Sequence, residues 1–333
     1  MVIAAPNRVF KTGVPAPRFE VLLATYNGER YLPALLDSVL GQSFQPFTIV
    51  ARDDCSRDAT AAILADYAAR YPGSIRILPS PPQRRGACAN FAALIAAAEG
   101  DFIFFCDQDD IWLPDKMKLT HEVMERLLDR YGDDCPLLVH TDLAVVGQEL
   151  DLLDASFFSY ARLDPARNKL EELLLGNVAT GCTMLLNRAL YTAALPLDPS
   201  VLMYDHWIAQ IAAALGRIGY LDQPTVLYRQ HANNVVGVER AGTRRFLRSV
   251  RRTLLSDATL SVLRAYSGHA GLLLAQHGAR MMPERREQLR ALATVWDAPR
   301  LLRFARLWRS GLRKPSFGGN AAMFLLLLRR GKN

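Results

Sequence analysis

Within the run Phe-Ile-Phe-Phe-Cys-Asp-Gln-Asp-Asp-Ile-Trp, from Phe102 to Trp112, three carboxylates (Asp107, Asp109 and Asp110) fall in four positions at the end of an apolar segment. Carboxylates this close repel one another unless a cation or basic groups sit among them. A D-x-D where a buried strand ends suits a hard divalent ion, held by one or two carboxylates and completed by substrate phosphates and water. A solvated acidic turn ahead of a helix begun by Pro114, with Asp110 or Asp115 as its cap, accounts for this stretch equally well.

The elements that must position these groups are legible upstream. Phe19–Thr25 reads as a first strand, followed by Tyr-Asn-Gly-Glu-Arg and an amphipathic helix from about Tyr31 to Leu40. Thr48–Ala51 is a second strand that runs into Arg52-Asp53-Asp54-Cys55-Ser56, with a helix from about Ala59 to Arg70. Ile75–Leu78 is a third strand, Pro79–Gly86 a loop carrying Arg84 and Arg85, and Ala87–Ala98 a helix that Gly100 separates from the Phe102 strand. Alternation of this kind predicts a mostly parallel sheet with helices on both faces. Ligands of such sheets bind at the carboxyl ends of the strands, where the acidic residues fall.

Further along, Lys116–Tyr131 reads as a helix, Leu137–Val146 as a strand, and Asn177–Asn187 as a loop entering a strand. Met203–Leu215 is a helix with Asp205 and His206 in its first turn, and Ile218–Leu221 and Thr225–Arg229 are two short strands before Gln230 and His231. Asp205 serves either as a helix cap or as a general base. Trp112 and Trp207 read as core aromatics; His121, His140, His269 and His277 read as ordinary.

Half of the 333 residues are hydrophobic, enough for one large core or two modest ones. Cys55, Cys88, Cys106, Cys135 and Cys182 show no C-x-x-C spacing, which disfavours a disulfide framework or a zinc site and fits a reducing compartment. Met1–Arg18 holds Pro6, Pro15 and Pro17 and no apolar run of a secretory leader, and the apolar run Ala321–Leu328 is far too short to span a bilayer. From Arg240 onward there are 20 Lys and Arg against 4 Asp and Glu, a net charge of +16, whereas Met1–Glu239 carries −9. Arginines interleave there with Phe246, Leu247, Val250, Leu254 and Leu255, and again from Leu301 to Arg313. Basic amphipathic segments of this composition suit an anionic membrane surface, or a helical cap or oligomer interface with a solvated Arg face. The acidic body gives nucleic acid no partner logic.

Seven motifs in order, over about Phe19 to Gly237, carry a family resemblance. They are Ala-Thr-Tyr-Asn-Gly, Asp-Asp-Cys-Ser-Arg-Asp-Ala-Thr, Gly-Ala-Cys-Ala-Asn-Phe, Cys-Asp-Gln-Asp-Asp-Ile-Trp, Thr-Gly-Cys-Thr, Tyr-Asp-His-Trp and Tyr-Arg-Gln-His. The chain resembles glycosyltransferase family 2, the inverting sugar transferases of GT-A fold, and within it the rhamnosyltransferase-like branch of O-antigen and related polysaccharide assembly.

The resemblance implies a Rossmann-like nucleotide-diphospho-sugar fold with a helical, basic C-terminal region. It implies Thr25 and Tyr26 lining the nucleotide base beside Asn27, and Asp54 with Asp53 accepting from a uracil or thymine N3–H. Asn90 would lie near the ribose or diphosphate, with Asp107 and its neighbour Gln108 on the ribose and donor sugar. Asp109 and His231 would ligate Mn²⁺ or Mg²⁺, and Asp205 would be the catalytic base. Where the family pattern reads His-Asp-Trp this chain has Tyr204-Asp205-His206. Trp112, His206 and Trp207 are expected to touch the acceptor.

The expected organisation is an N-terminal lead of 1–18, a nucleotide-sugar half of 19–130, an acceptor and base half of 131–239, and a membrane-association region of 240–333. The expected function is transfer of a sugar, with dTDP-rhamnose as a candidate donor, to a lipid-linked or cell-surface glycan. The expected place is the inner face of the plasma membrane, peripherally attached and compatible with a homo-oligomer. A nucleotidyltransferase is disfavoured because Tyr-Asn-Gly-Glu-Arg supplies no Gly-rich, Lys-containing triphosphate loop. A dehydrogenase is disfavoured because no G-x-G-x-x-G follows the first strand. A non-catalytic membrane or polyanion binder would use the basic tail alone.

Overall fold

The computed structural model describes residues 16–231, 257–314 and 316–329. Most of the N-terminal lead and the first Arg-rich segment, with Phe246 and Leu255, lie outside the described residues.

The first half alternates as the sequence predicts: β1 (Phe19–Thr25), α1 (Leu32–Leu40), β2 (Thr48–Asp53), α2 (Thr60–Arg70), β3 (Ile75–Leu78), α3 (Ala87–Ala96) and β4 (Phe102–Asp107). A two-residue β5 (Ile111–Trp112) follows, then α4 (Lys116–Tyr131), β6 (Leu137–Val146), β7 (Leu152–Asp154), α5 (Phe157–Ala161), α6 (Leu170–Leu173), β8 (Leu185–Asn187), α7 (Arg188–Ala193), α8 (Tyr204–Leu215) and β9 (Arg217–Arg229). The described C-terminal helices are α9 (Asp257–His277), α10 (Pro283–Ala293), α11 (Arg300–Arg309) and α12 (Phe317–Leu328).

Among the described residues one sheet runs in the order β3-β2-β1-β4-β8-β6-β9-β5, with β7 beside β6. The pairs β1·β2, β1·β4 and β2·β3 are parallel. Past β4 the sheet is mixed: β8 runs antiparallel to both β4 and β6, while β9 runs parallel to β6. The two short strands read at 218–221 and 225–229 are one continuous β9. Its register shifts opposite Asp142, where Pro224 pairs, so the proline is accommodated at a bulge and does not end the strand.

Alternation along the central strands divides the interior in two. Val21, Leu23, Ile49, Ala51, Phe104 and Cys106 pack with α1, α2 and α4 on one face. Leu22, Val50, Ile103 and Phe105 pack with α3 and α8 on the other. A strand buried on both faces has no polar alternation to show, which is why these strands read as continuous apolar runs. Every residue from Tyr204 to Ala214 in α8 is buried, and its alanines let neighbours close in on all sides. The C-terminal helices supply part of that enclosure, since Leu263, Leu273, Leu289, Leu307 and Leu326 belong to the same core as α8. No helix among the described residues is long and apolar enough to cross a membrane.

Candidate active site

The carboxyl ends of β1, β2 and β4 lie side by side, since Thr25 pairs with Asp53 and Ala24 with Asp107. A cavity of about 1380 Å³ opens at the other end of these strands, beside Arg18 and Phe102, away from the acidic cluster.

On the β1–β2 side the predicted nucleotide residues form a fastened frame. The Thr25 hydroxyl donates to Asp53 at 3.0 Å, and Asp53 also accepts the Ser56 N–H at 2.8 Å. Asp54 accepts the backbone N–H groups of Arg85 and Gly86 at 2.9 and 2.7 Å, tying the 79–86 loop to β2. Asn27, in the left-handed region at φ 48°, accepts from Arg57 N at 2.9 Å. Asn90 is buried and exchanges two hydrogen bonds with Arg52, accepting from Nη1 at 2.8 Å and donating to the carbonyl at 3.0 Å. The Arg84 guanidinium lies 4.1 Å from the centre of the Tyr26 ring. Asp53 is spent largely on Thr25 and Ser56, and Asn90 keeps one N–H and one lone pair beyond its bonds to Arg52. Asp54 gives each amide one bond and retains further lone pairs for a ligand.

Gln108 clamps the turn after β1. Its Oε1 accepts the Tyr26 N–H at 2.7 Å and its Nε2 donates to the Tyr26 carbonyl at 2.8 Å. Gly28 leaves room for this clamp, because a Cβ there would lie 2.3 Å from Gln108 Oε1 and displace the amide. Gly28→Ala should therefore push Gln108 off Tyr26 and cost about 1–3 kcal/mol in urea unfolding, the worth of two lost half-buried hydrogen bonds. In a Gln108→Ala background the same substitution should cost much less; equal costs in both backgrounds would show that the clamp is not the reason for the glycine.

The acidic cluster divides into two groups. Asp109 meets His231 at 2.8 Å (Oδ2 to Nε2), while its carbonyl accepts from Arg229 Nε at 2.9 Å. The His231 ring stacks on Tyr31 at 5.0 Å, and the Arg229 guanidinium lies 4.8 Å from the same ring, so α1, β4 and the end of β9 converge there. The second group is deeper: single ligand atoms of Asp107, Asp110 and Cys182 lie within 4.8 Å of one another. Asp110 is fully buried, takes the Arg229 N–H on one carboxylate oxygen at 3.2 Å, and has no N–H or O–H partner on the other. Burial, with the charges of Asp109 and Asp205, raises Asp107 to about 7, and burial beside Asp109 and Asp107 holds Asp110 well above the usual carboxylate range. Carboxylates strained toward protonation and a carboxylate–imidazole pair are the donor set a divalent cation relieves. Either group could hold one.

Behind the cluster stands Lys116, fully buried, its amine 4.7 Å from the centre of the Trp112 ring and without a hydrogen-bond partner. Burial lowers it to about 8. Sequence reasoning missed it, although it lies on the stripe of α4 that also buries Met117, Thr120, Met124 and Leu128. Basic groups and a cation site both answer the repulsion that the D-x-D posed.

Asp205 occupies the first turn of α8, whose cap is Met203. Its carboxylate accepts the His206 N–H at 2.6 Å and the Gly181 N–H at 3.3 Å, and burial raises it to about 6 despite these donors. It acts electrostatically on Asp107, so the α8 start and the β4 end share one site. The loop is close-fitting, since a Cβ on Gly181 would lie 2.1 Å from the Tyr204 hydroxyl. The residues expected to touch an acceptor are instead interior. His206 turns back to the Leu173 carbonyl at 2.6 Å and to Gln210, Trp207 is wholly buried, and Trp112 packs on Phe104. None of the three offers a surface to a sugar. The neighbouring elements account for this: Phe104 and Lys116 enclose Trp112, and Tyr266 and His269 of α9 cover His206 and Trp207.

The family model described as "Glycosyl transferase family 2" matches residues 20–191. A dTDP-rhamnosyl transferase of Shigella flexneri is 29% identical over 230 residues, covering 65% of this chain and 73% of the relative. An uncharacterized glycosyltransferase of Nostoc is 27% identical over 228 residues, covering 65% of this chain and 66% of the relative. Other curated relatives are matched over only 59% of their length. Among solved structures, Staphylococcus aureus TarS with UDP-GlcNAc superposes with a TM-score of 0.53 at 16% identity, covering 93% of this chain and 90% of that one.

Proposed function

We propose, for a chain that belongs to glycosyl transferase family 2 and has the GT-A fold, that it transfers a sugar from a nucleotide-diphospho-sugar to a hydroxyl of a lipid-linked or cell-surface polysaccharide by a single displacement. The observation that carries this reading is Asp205: a buried carboxylate at about 6, across from the strand end that bears Asp107, Asp109 and Asp110. The acceptor oxygen attacks the anomeric carbon as its proton passes to Asp205. The bond from that carbon to the diphosphate oxygen breaks, and its electron pair leaves with the nucleotide. One base and no protein nucleophile give inversion.

A base functions best when its pKa lies near the working pH, and about 6 is suited to a carboxylate that must be ionised yet accept a proton. Asp109 and His231 would hold a divalent cation, Mn²⁺ or Mg²⁺, which when bound supplies positive charge beside the departing diphosphate. The turn that Gln108 clamps and the loop that Asp54 fastens would frame the nucleotide. The likeness to the Shigella transferase favours dTDP-rhamnose as the donor. The basic C-terminal region favours attachment to the inner face of the plasma membrane.

Calorimetric titration with UDP, dTDP and GDP, and then their sugars, with Mn²⁺ present and with it chelated, tests this. One nucleotide should bind, about tenfold or more tightly with the metal. Absence of binding by all of them would remove the reading.

A further inference from the structure

The last two described helices carry an apolar surface that no other part of the described chain covers. On α11, Leu301 is 77% exposed, with Leu302 and Trp308 also exposed; on α12, Phe317 is 91% exposed, with Phe324 and Leu325. The two faces are continuous, because Phe304 meets Trp308 at 5.6 Å and Phe324 at 5.4 Å. Their opposite faces are anchored in the core through Leu307, Met323, Leu326 and Leu327. Exposed apolar surface of this extent, held on a fixed scaffold, marks an interaction site.

Charge identifies the partner. No Asp or Glu follows Asp297, whereas nine Lys and Arg do. They divide by task. Arg303 donates to the carbonyls of Ala298, Trp296 and Leu327, and Arg306 to that of Thr294, fixing the helix pair. Arg300, Arg309 and Arg313 stay exposed, and the Arg313 guanidinium lies 4.4 Å from the centre of the Trp308 ring. Asp257 neutralises Arg329 at the end of α12, but the arginines beside the apolar side chains of α11 leave the face net basic, which matches the interface of an anionic bilayer, where the ring sits at headgroup level and the guanidinium meets phosphate. A second copy of the same face would bring like charges together.

We propose that the exposed face of α11 and α12 docks the protein on an anionic lipid surface. On the turn before α12, Lys314 donates to the Leu175 carbonyl, and Leu175 leads into the loop whose Gly181 N–H holds Asp205. This contact ties the docking helices to the segment that holds the base, so a lipid-linked acceptor would be met by the same body that carries Asp205, a consequence that rests on the transfer reaction proposed above; the surface itself does not.

Cosedimentation of the intact protein with mixed phosphatidylglycerol–phosphatidylcholine vesicles, against pure phosphatidylcholine, tests the surface. Binding should be about tenfold or more tighter on the anionic vesicles and should weaken with salt. The double variant Leu301→Glu with Phe317→Glu, at positions too exposed to disturb the core, should lower it about tenfold while leaving unfolding and nucleotide binding unchanged. Equal binding of wild type to both vesicle types, or wild-type binding by the variant, overturns the proposal. So does self-association that the variant abolishes without any vesicle binding, which would make the face an interface between copies. Vesicle binding by a protein that binds no nucleotide would support the surface and remove the reaction instead.

Discussion

Asp205→Asn should lower sugar transfer by about 10²–10⁴, the usual worth of a general base, while donor affinity stays within about threefold. The substitution keeps the shape of the side chain and can keep the bond from His206 N–H, but it removes the proton acceptor. The pH profile supplies a second readout. Wild-type kcat should rise as pH passes through about 6 and level off above it, because the carboxylate must be ionised to take the acceptor proton.

Stability should move the other way. The folded carboxyl titrates at about 6 and the unfolded one near 3.8, so the folded state binds the proton more strongly in that window. Wild type should therefore lose stability relative to Asp205→Asn as pH climbs from about 4 to about 6, by ~3 kcal/mol at most. Parallel stability curves for the two proteins, or near-normal transfer by the variant, would remove Asp205 from the role of base.

Asp109→Asn should lower metal-dependent turnover by about 10²–10³, in the range found when one preorganised electrostatic contact to developing charge is removed. The same change should weaken Mn²⁺ binding, followed by calorimetry in the presence of nucleotide. His231→Ala should do likewise, and the double variant should be little worse than either, because the pair at 2.8 Å acts as a unit. The deeper set offers a definite contrary result. If Asp109→Asn retained metal binding and Asp110→Asn lost it, the ion would belong to Asp107, Asp110 and Cys182.

The elements that carry the site could be read from the chain because period and punctuation agree there. Phe19–Thr25, Ile75–Leu78, Lys116–Tyr131 and Leu137–Val146 stand where apolar pattern and turn residues put them. The second half was harder for a physical reason. β8 is three residues long and enters between β4 and β6 in the antiparallel sense, a pairing set by distant neighbours and not by local pattern. The Pro224 break in β9 likewise looks like an end until β6 is seen to pass the bulge.

Within the site, carboxylates could be located by type and spacing, but their partners could not. Gln108 reaches back to Tyr26 across 82 positions of sequence, and Lys116 approaches the cluster from beneath. Residue type misled at Trp112, His206 and Trp207, where chemistry-capable side chains are spent on filling the interior.

A single displacement driven by one carboxylate base forms no covalent intermediate and inverts the anomeric carbon. NMR of the sugar released in the first turnovers, with water or an alcohol as acceptor, reads its anomeric configuration directly. Inversion relative to the donor is the result predicted here; retention would mean a double displacement or a front-side attack, and either would contradict a back-side displacement with Asp205 as its base.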